Sequence, residues 1–173
     1  MTHYDRAEWG ARPPEAVYDL DPSEVVGVAL HWPAMARPLG SVPAVMAALR
    51  GWQAYHMDQL GWSDIGYQLA FDQAGNVYRL RGIRHRSGAN GDMHVNERFG
   101  AFLLVLAPGE MPSPLMLRRV RRYIRVWRRI FPRATRIVGH DDIRPEPTAC
   151  PGPAVSHLID TGAFNPRTVR ITT

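Results

Sequence analysis

Apolar residues along this chain fall into short unbroken runs that alternate with longer stretches of helical period. Val25-Val26-Gly27-Val28-Ala29-Leu30 is too short for a helix and rich in β-branched residues, so it reads as a buried strand ending at His31. After a loop over 33–40, Val45, Ala48/Leu49, Trp52 and Tyr55/His56 recur every third or fourth position, which predicts a helix over about 42–60 with one apolar face. Gly61 is a natural helix stop, followed by the turn formers Ser63 and Asp64. From Tyr67 the pattern becomes strand-like, and Asp72-Gln73-Ala74-Gly75-Asn76 turns it back into Val77-Tyr78-Arg79-Leu80, a β-hairpin. Residues 82–98 have no period and hold His85 and His94; they read as a long surface loop, where substrate contacts commonly sit. Another buried strand covers 99–106. Leu117, Val120, Ile124, Trp127 and Phe131 then mark the apolar stripe of a helix over 113–131. A last strand over 135–139 and a short helix over 154–161 complete the pattern. Ahead of all these, Glu8-Trp9-Gly10-Ala11-Arg12-Pro13-Pro14 holds too much Gly and Pro for either element and reads as an ordered arm pinned by Trp9.

Interleaved strands and helices predict an α/β fold with a central mixed β-sheet flanked by helices. The length of 173 residues suits one domain, expected over 1–162, with residues 163–173 as a carboxy-terminal tail. A single cysteine excludes an intrachain disulfide, and no run of about 18 apolar residues provides a membrane span. Residues 1–8 lack the basic-then-apolar layout of a secretory signal. Synthesis in the cytoplasm is therefore expected, or secretion if a signal has been removed.

Charge narrows the partners. The net charge is +5, and every basic side chain is Arg, so no role here can belong to a lysine. Such a balance favours polyanions: nucleic acid, an anionic envelope, or acidic polymers on a cell wall. Arg118, Arg121, Arg122, Arg125 and Arg128/Arg129 fill the polar side of the 113–131 helix. We read this as a solvated outer face that aids retention on anionic walls, and not as a chemical site.

The candidate chemistry lies in Val138-Gly139-His140-Asp141-Asp142-Ile143-Arg144-Pro145-Glu146-Pro147-Thr148-Ala149-Cys150-Pro151-Gly152. A strand end delivers His140, and a Pro-rich loop brings back the sole cysteine. His and Cys are both good ligands for a borderline-soft ion such as zinc. His31, at another strand end, is a third ligand candidate. His56 lies on or beside the apolar face of its helix and reads as a structural histidine.

Together these blocks resemble the zinc-dependent N-acetylmuramoyl-L-alanine amidases of type 2, which share a fold with the peptidoglycan recognition proteins and with phage endolysins. The resemblance runs over residues 5–158. It rests on Glu8-Trp9-Gly10-Ala11-Arg12, Leu30-His31, His56 through Gly61-Trp62-Ser63-Asp64-Ile65-Gly66-Tyr67, Gly139-His140, and Pro147-Thr148-Ala149-Cys150-Pro151-Gly152. It implies that His31, His140 and Cys150 bind Zn2+ and leave the fourth position to water, as in a catalytic site. It further implies that Tyr67 donates to the oxyanion or orients the water, and that the Thr148 hydroxyl can bond the carbonyl oxygen. The expected partner is bacterial peptidoglycan, as a muramyl peptide, with anionic cell-wall polymers beside it. No nucleic acid is expected, and the protein is expected to be a monomer.

The sequence also departs from that family. The interval from His140 to Cys150 is longer than usual. Gln68 stands where relatives often have His, and Ser87-Gly88-Ala89-Asn90-Gly91 replaces a His-containing motif. Phe102 stands where some relatives carry a general-base carboxylate, so the proton acceptor has no assignment. Three readings follow: a peptidoglycan amidase of the phage endolysin or bacterial lysin kind, a non-catalytic peptidoglycan-binding module of the same fold, or an Arg-driven nucleic-acid binder. The retained His31, His140, Cys150 and Tyr67 favour the first, and the third explains none of them.

Overall fold

The apolar runs pair side by side in the computed structural model, which describes residues 1–33, 35 and 37–166. Ala34 and Ala36 of the expected 33–40 loop, and residues 167–173 of the expected tail, lie outside the described residues. In chain order the elements are β1 (His3–Tyr4), β2 (Gly27–His31), α1 (Val42–Ala54), β3 (Leu69–Phe71), β4 (Val77–Arg79), α2 (Met93–Arg98), β5 (Phe99–Leu104), α3 (Pro114–Ile130), β6 (Arg136–Gly139) and α4 (Pro153–Asp160). The sheet order is β1-β4-β3-β5-β2-β6. Only the β3–β4 hairpin is antiparallel, so the sheet is mixed. Fully buried β2 and β5 occupy its interior, which is why their sequences are apolar without alternation.

The two faces of the sheet are covered by different helices. Val28 and Leu30 of β2, with Phe102 and Leu104 of β5, pack with Val120, Ile124 and Trp127 of α3. Leu103 and Val105 pack on the opposite side with Val45 and Leu49 of α1 and with Trp9 of the arm. Because strand side chains alternate, His31 emerges on the α1 side, away from α3. Ser41 and Ser113 start the two large helices by accepting from Ala44 N (3.4 Å) and Met116 N (3.0 Å), each ahead of a proline in the first turn.

Several expectations require correction. The helix predicted to Leu60 is α-helical only to Ala54 and continues as one π-helical turn, Tyr55–Gln59. The 82–98 segment is not a surface loop: it contains α2 and buries Ser87, Asn90 and Asn96. A helix of six residues makes under two turns, too few to register as a period, although Asp92 caps it by accepting from Val95 N at 2.8 Å. The two-residue β1 is also too short to leave a pattern. Within the described residues, Phe164 is buried in the α3-side core and Ala163 O accepts from Arg121 Nε at 2.6 Å. Among the described residues no helix is long and apolar enough to cross a membrane.

Gly100 in β5 leaves room for the Trp127 ring, and a Cβ there would lie 2.5 Å from it. Gly100→Ala should therefore destabilise the chain by about 1–3 kcal/mol, read as a lower urea midpoint at unchanged slope. An unchanged midpoint would mean that α3 adjusts freely on the sheet.

Candidate metal centre

β2 and β6 run parallel, with Leu30 opposite Gly139. The residues that follow, His31 and His140, therefore leave the same end of the sheet, and their ring centroids are 4.4 Å apart. A side chain at Gly139 would run into Asp141 and Pro151, so the turn after β6 closes tightly only around glycine. Gly139 N donates to Asp142 Oδ2 (2.7 Å), and Asp141 N donates to Cys150 O (3.0 Å), which folds the Pro-rich loop back on itself. Cys150 Sγ thereby comes within 3.7 Å of His31 Nδ1 and accepts from Trp32 N at 3.4 Å. One ligand atom each from His31, His140 and Cys150 lies within 4.8 Å of the others.

The state of these groups suits a metal. Burial, then the neighbouring His140, lowers the His31 pKa to about 3. Burial, then Arg144, lowers that of His140 to about 4. Both rings are thus neutral at pH 7 and keep a lone pair. Among the described residues His140 Nε2 is buried with no hydrogen-bond partner, as expected of a nitrogen reserved for a ligand. Burial pushes the Cys150 thiol up to about 12, so ligation must displace its proton. Two imidazoles and one thiolate form a donor set for zinc with a coordination position to spare.

Around this cluster lies a cleft lined by Trp32, Trp62, Tyr67, Arg144 and Thr148. Tyr67 is half-buried, its ring edge-on to His31 at 5.3 Å. Burial, then Cys150, raises its pKa, so at neutral pH the phenol is a donor and not a base. Thr148 Oγ1 accepts from Cys150 N at 3.2 Å, which leaves its own hydroxyl hydrogen to donate elsewhere. The long His140–Cys150 interval brings Arg144, 3.4 Å from Glu146, into the same cleft.

The block from His56 to Tyr67 is held from behind. Buried Asp64 accepts from Arg6 (2.7 Å), Gln53 (2.6 Å) and Ile65 N (2.8 Å), which ties the amino-terminal arm, α1 and this block together. His56 accepts from Gly66 N through Nδ1 (3.2 Å) and stacks on Trp62 at 4.7 Å, a supporting position behind Tyr67. Gln68 is fully buried and holds Ala101 N and His85 O. His85 pairs with Asp19 at 2.7 Å, His94 is exposed, and Phe102 is buried on the α3 side. None of these last three lines the cleft. Three residues beside the centre escaped the sequence reading, Trp32, Arg144 and Asn90. Arg144 was noted only as part of a long interval, and Asn90, which meets His31, was hidden in a segment read as surface loop.

No family model matches the chain. Among curated proteins it is similar to peptidoglycan-recognition protein LB of Drosophila melanogaster, 28% identical over 178 residues that cover 96% of this chain and 75% of that protein. It is also similar to N-acetylmuramoyl-L-alanine amidase of Sus scrofa, 32% identical over 180 residues, 96% of this chain but only 29% of that protein. The chain thus spans under a third of the pig amidase. Among solved structures, wild-type Drosophila recognition protein LB superposes over 100% of both chains with a TM-score of 0.80 at 24% identity. Recognition protein LE, solved with tracheal cytotoxin, a monomeric diaminopimelic acid-type peptidoglycan, gives a TM-score of 0.80 at 20% identity over 94% of each chain. The homologues and structural neighbours are peptidoglycan-recognition proteins and N-acetylmuramoyl-L-alanine amidases, and the mixed sheet with its helices is the fold of those structures.

The buried rings also set an acid limit. Folded, His31, His140 and His56 resist protonation until about pH 3 to 4, whereas unfolded they take protons near 6.5. Between those values the unfolded state binds more protons, so the stability present above pH 6.5 is lost as acid is added. With chelator present, the melting temperature should fall steadily from pH 6.5 to 4. A flat profile would mean that the rings are solvated.

Proposed function

We propose that this chain hydrolyses the amide between N-acetylmuramic acid and L-alanine in bacterial peptidoglycan, as an N-acetylmuramoyl-L-alanine amidase. The observation that carries the reading is the convergence of His31, His140 and Cys150, with no partner for His140 Nε2 among the described residues, beside a protonated phenol in a cleft. The amidases and muramyl-peptide binders among its relatives and neighbours support the same substrate class. His31, His140 and Cys150 would hold one zinc ion. When bound, zinc supplies Lewis acidity and brings the pKa of a coordinated water to about 7.

The remaining work falls to the chain. Trp32 and Trp62 line the cleft and offer apolar walls to the substrate. Tyr67 donates its phenolic hydrogen to the carbonyl oxygen as that oxygen gains charge, and Thr148 offers a second, neutral donor. Arg144 adds a cation to the same cleft. The proposed setting is a phage endolysin or related bacterial lysin, monomeric, made in the cytoplasm and acting on the wall after release.

Retention on the wall falls to a different surface. Beyond Pro114, every exposed position of α3 is an arginine: Arg118, Arg122, Arg125 and Arg129. Their spacing aligns them on one face, and no ion pair among the described residues involves them. This stripe lies behind the sheet from His31, so an anionic wall polymer held there leaves the cleft open.

Two experiments separate these roles. Changing the four arginines to Gln should weaken binding to whole walls and flatten its salt dependence, because exposed charges are screened over about 8 Å at physiological ionic strength. Turnover of small soluble muropeptides should be unchanged, and its loss would place α3 at the active site. Tyr67→Phe keeps the ring and removes only the donor, so turnover should fall by about 10²–10³ with KM little altered. Wild-type turnover in that variant would reduce Tyr67 to packing. A wild type that binds muropeptide and releases no L-alanine termini would instead be the non-catalytic module.

A further inference from the structure

His31 has two ring nitrogens, and the protein treats them differently. Nδ1 faces Cys150 Sγ, while Nε2 lies 2.9 Å from Oδ1 of Asn90, a fully buried residue of the segment before α2. Which of the two carries the hydrogen follows from groups further back. The Asn90 amide is pinned by Phe99 O, 2.8 Å from Nδ2. A backbone carbonyl only accepts, so Asn90 must turn its NH2 toward β5 and its oxygen toward His31. Ser87 reinforces that direction. Its Oγ donates to Asn96 Oδ1 (2.9 Å) and so is left to accept from Asn90 Nδ2 (3.1 Å). Asn96 in turn is fixed by donating to Asp92 O (2.6 Å) while its oxygen also accepts from Asn90 N (3.0 Å). The Ser87 hydroxyl also lies 3.4 Å from Phe99 O, and donation to either acceptor leaves its oxygen free to accept from Asn90.

We infer that Asn90 is a positioning residue that holds His31 as the Nε2–H tautomer, leaving Nδ1 as its metal-binding nitrogen. An acceptor behind a ligating imidazole fixes the ring's orientation as well as its tautomer, and loss of such a partner typically weakens metal binding by about 10- to 100-fold. The segment read from sequence as a surface loop thus supplies the support of the first ligand from its buried side. The role in metal binding rests on the proposed function; the tautomer does not.

The test uses the full chain labelled with 15N and freed of metal at pH 7. Long-range proton–nitrogen correlation spectra should find His31 with Nε2 protonated and Nδ1 bare. A wild type in which Nδ1 carries the hydrogen overturns the assignment without any mutant. In Asn90→Ala the tautomer preference should be lost, and zinc affinity, measured by competition with a chelator, should fall by about 10- to 100-fold. Ser87→Ala disturbs the same network but leaves Phe99 O to orient the amide, so its tautomer and zinc affinity should stay near wild type. Equal losses in both variants would mean general loosening and would overturn the role of Asn90. Failure of the wild type to bind zinc would contradict the proposed function, while the ring-nitrogen spectrum still decides the orientation of His31.

Discussion

The parallel pairing of β2 with β6 is the constraint on which the site depends. Parallel strands cannot be joined by a tight turn, so both elements leave the sheet at the same end only because long connections return the chain to its start. Here the connection between them runs through α1, the β3–β4 hairpin, α2, β5 and α3, with α1 and α3 packed on opposite faces of the sheet. With Leu30 opposite Gly139, the two histidines are neighbours in space although far apart in sequence. A one-residue slip would send His31 to the α3 face, among Val120, Ile124 and Trp127. Core packing and ligand geometry therefore enforce the same register.

Burial then determines the chemistry. Imidazoles in water would be partly protonated at neutral pH, whereas His31 and His140 are held neutral by the apolar surroundings that also raise the Cys150 thiol and the Tyr67 phenol. Leaving a buried polar atom without a partner costs on the order of 1–3 kcal/mol, and His140 Nε2 is such an atom among the described residues. The fold tolerates this cost at the place where a ligand would relieve it. Elsewhere near the cleft side chains are matched: Asp64 accepts from three residues, and Asn90 has partners for its backbone N and both side-chain polar atoms.

Legibility in the sequence followed the length of each element. The runs ending at His31 and Gly139 could be read because interior parallel strands are apolar on both faces, and α3 because four turns of Leu, Val, Ile and Trp make an unmistakable stripe. Two strand ends and the sole cysteine offered His31, His140 and Cys150 as ligand candidates, the resemblance added their assignment and Tyr67, and the structure brings the three ligand atoms together. The two-residue β1, the six-residue α2 and the π-helical turn at Tyr55–Gln59 escaped because none is long enough to impose a period. Asn90 was missed for a different reason. A polar residue in a Gly-rich segment looks solvated until it is known that Phe99 O and His31 surround it. Its burial is a property of the folded chain and has no local signature.

The central claim, hydrolysis at the glycan–peptide junction, is tested most directly by digesting purified peptidoglycan with the zinc-loaded chain and assaying both kinds of new end. The account predicts new free L-alanine amino termini, accumulating with time, and no new reducing sugar ends. Reducing ends without free amines would identify a glycosidase and contradict it, and neither kind of end would leave a binding protein in place of an enzyme.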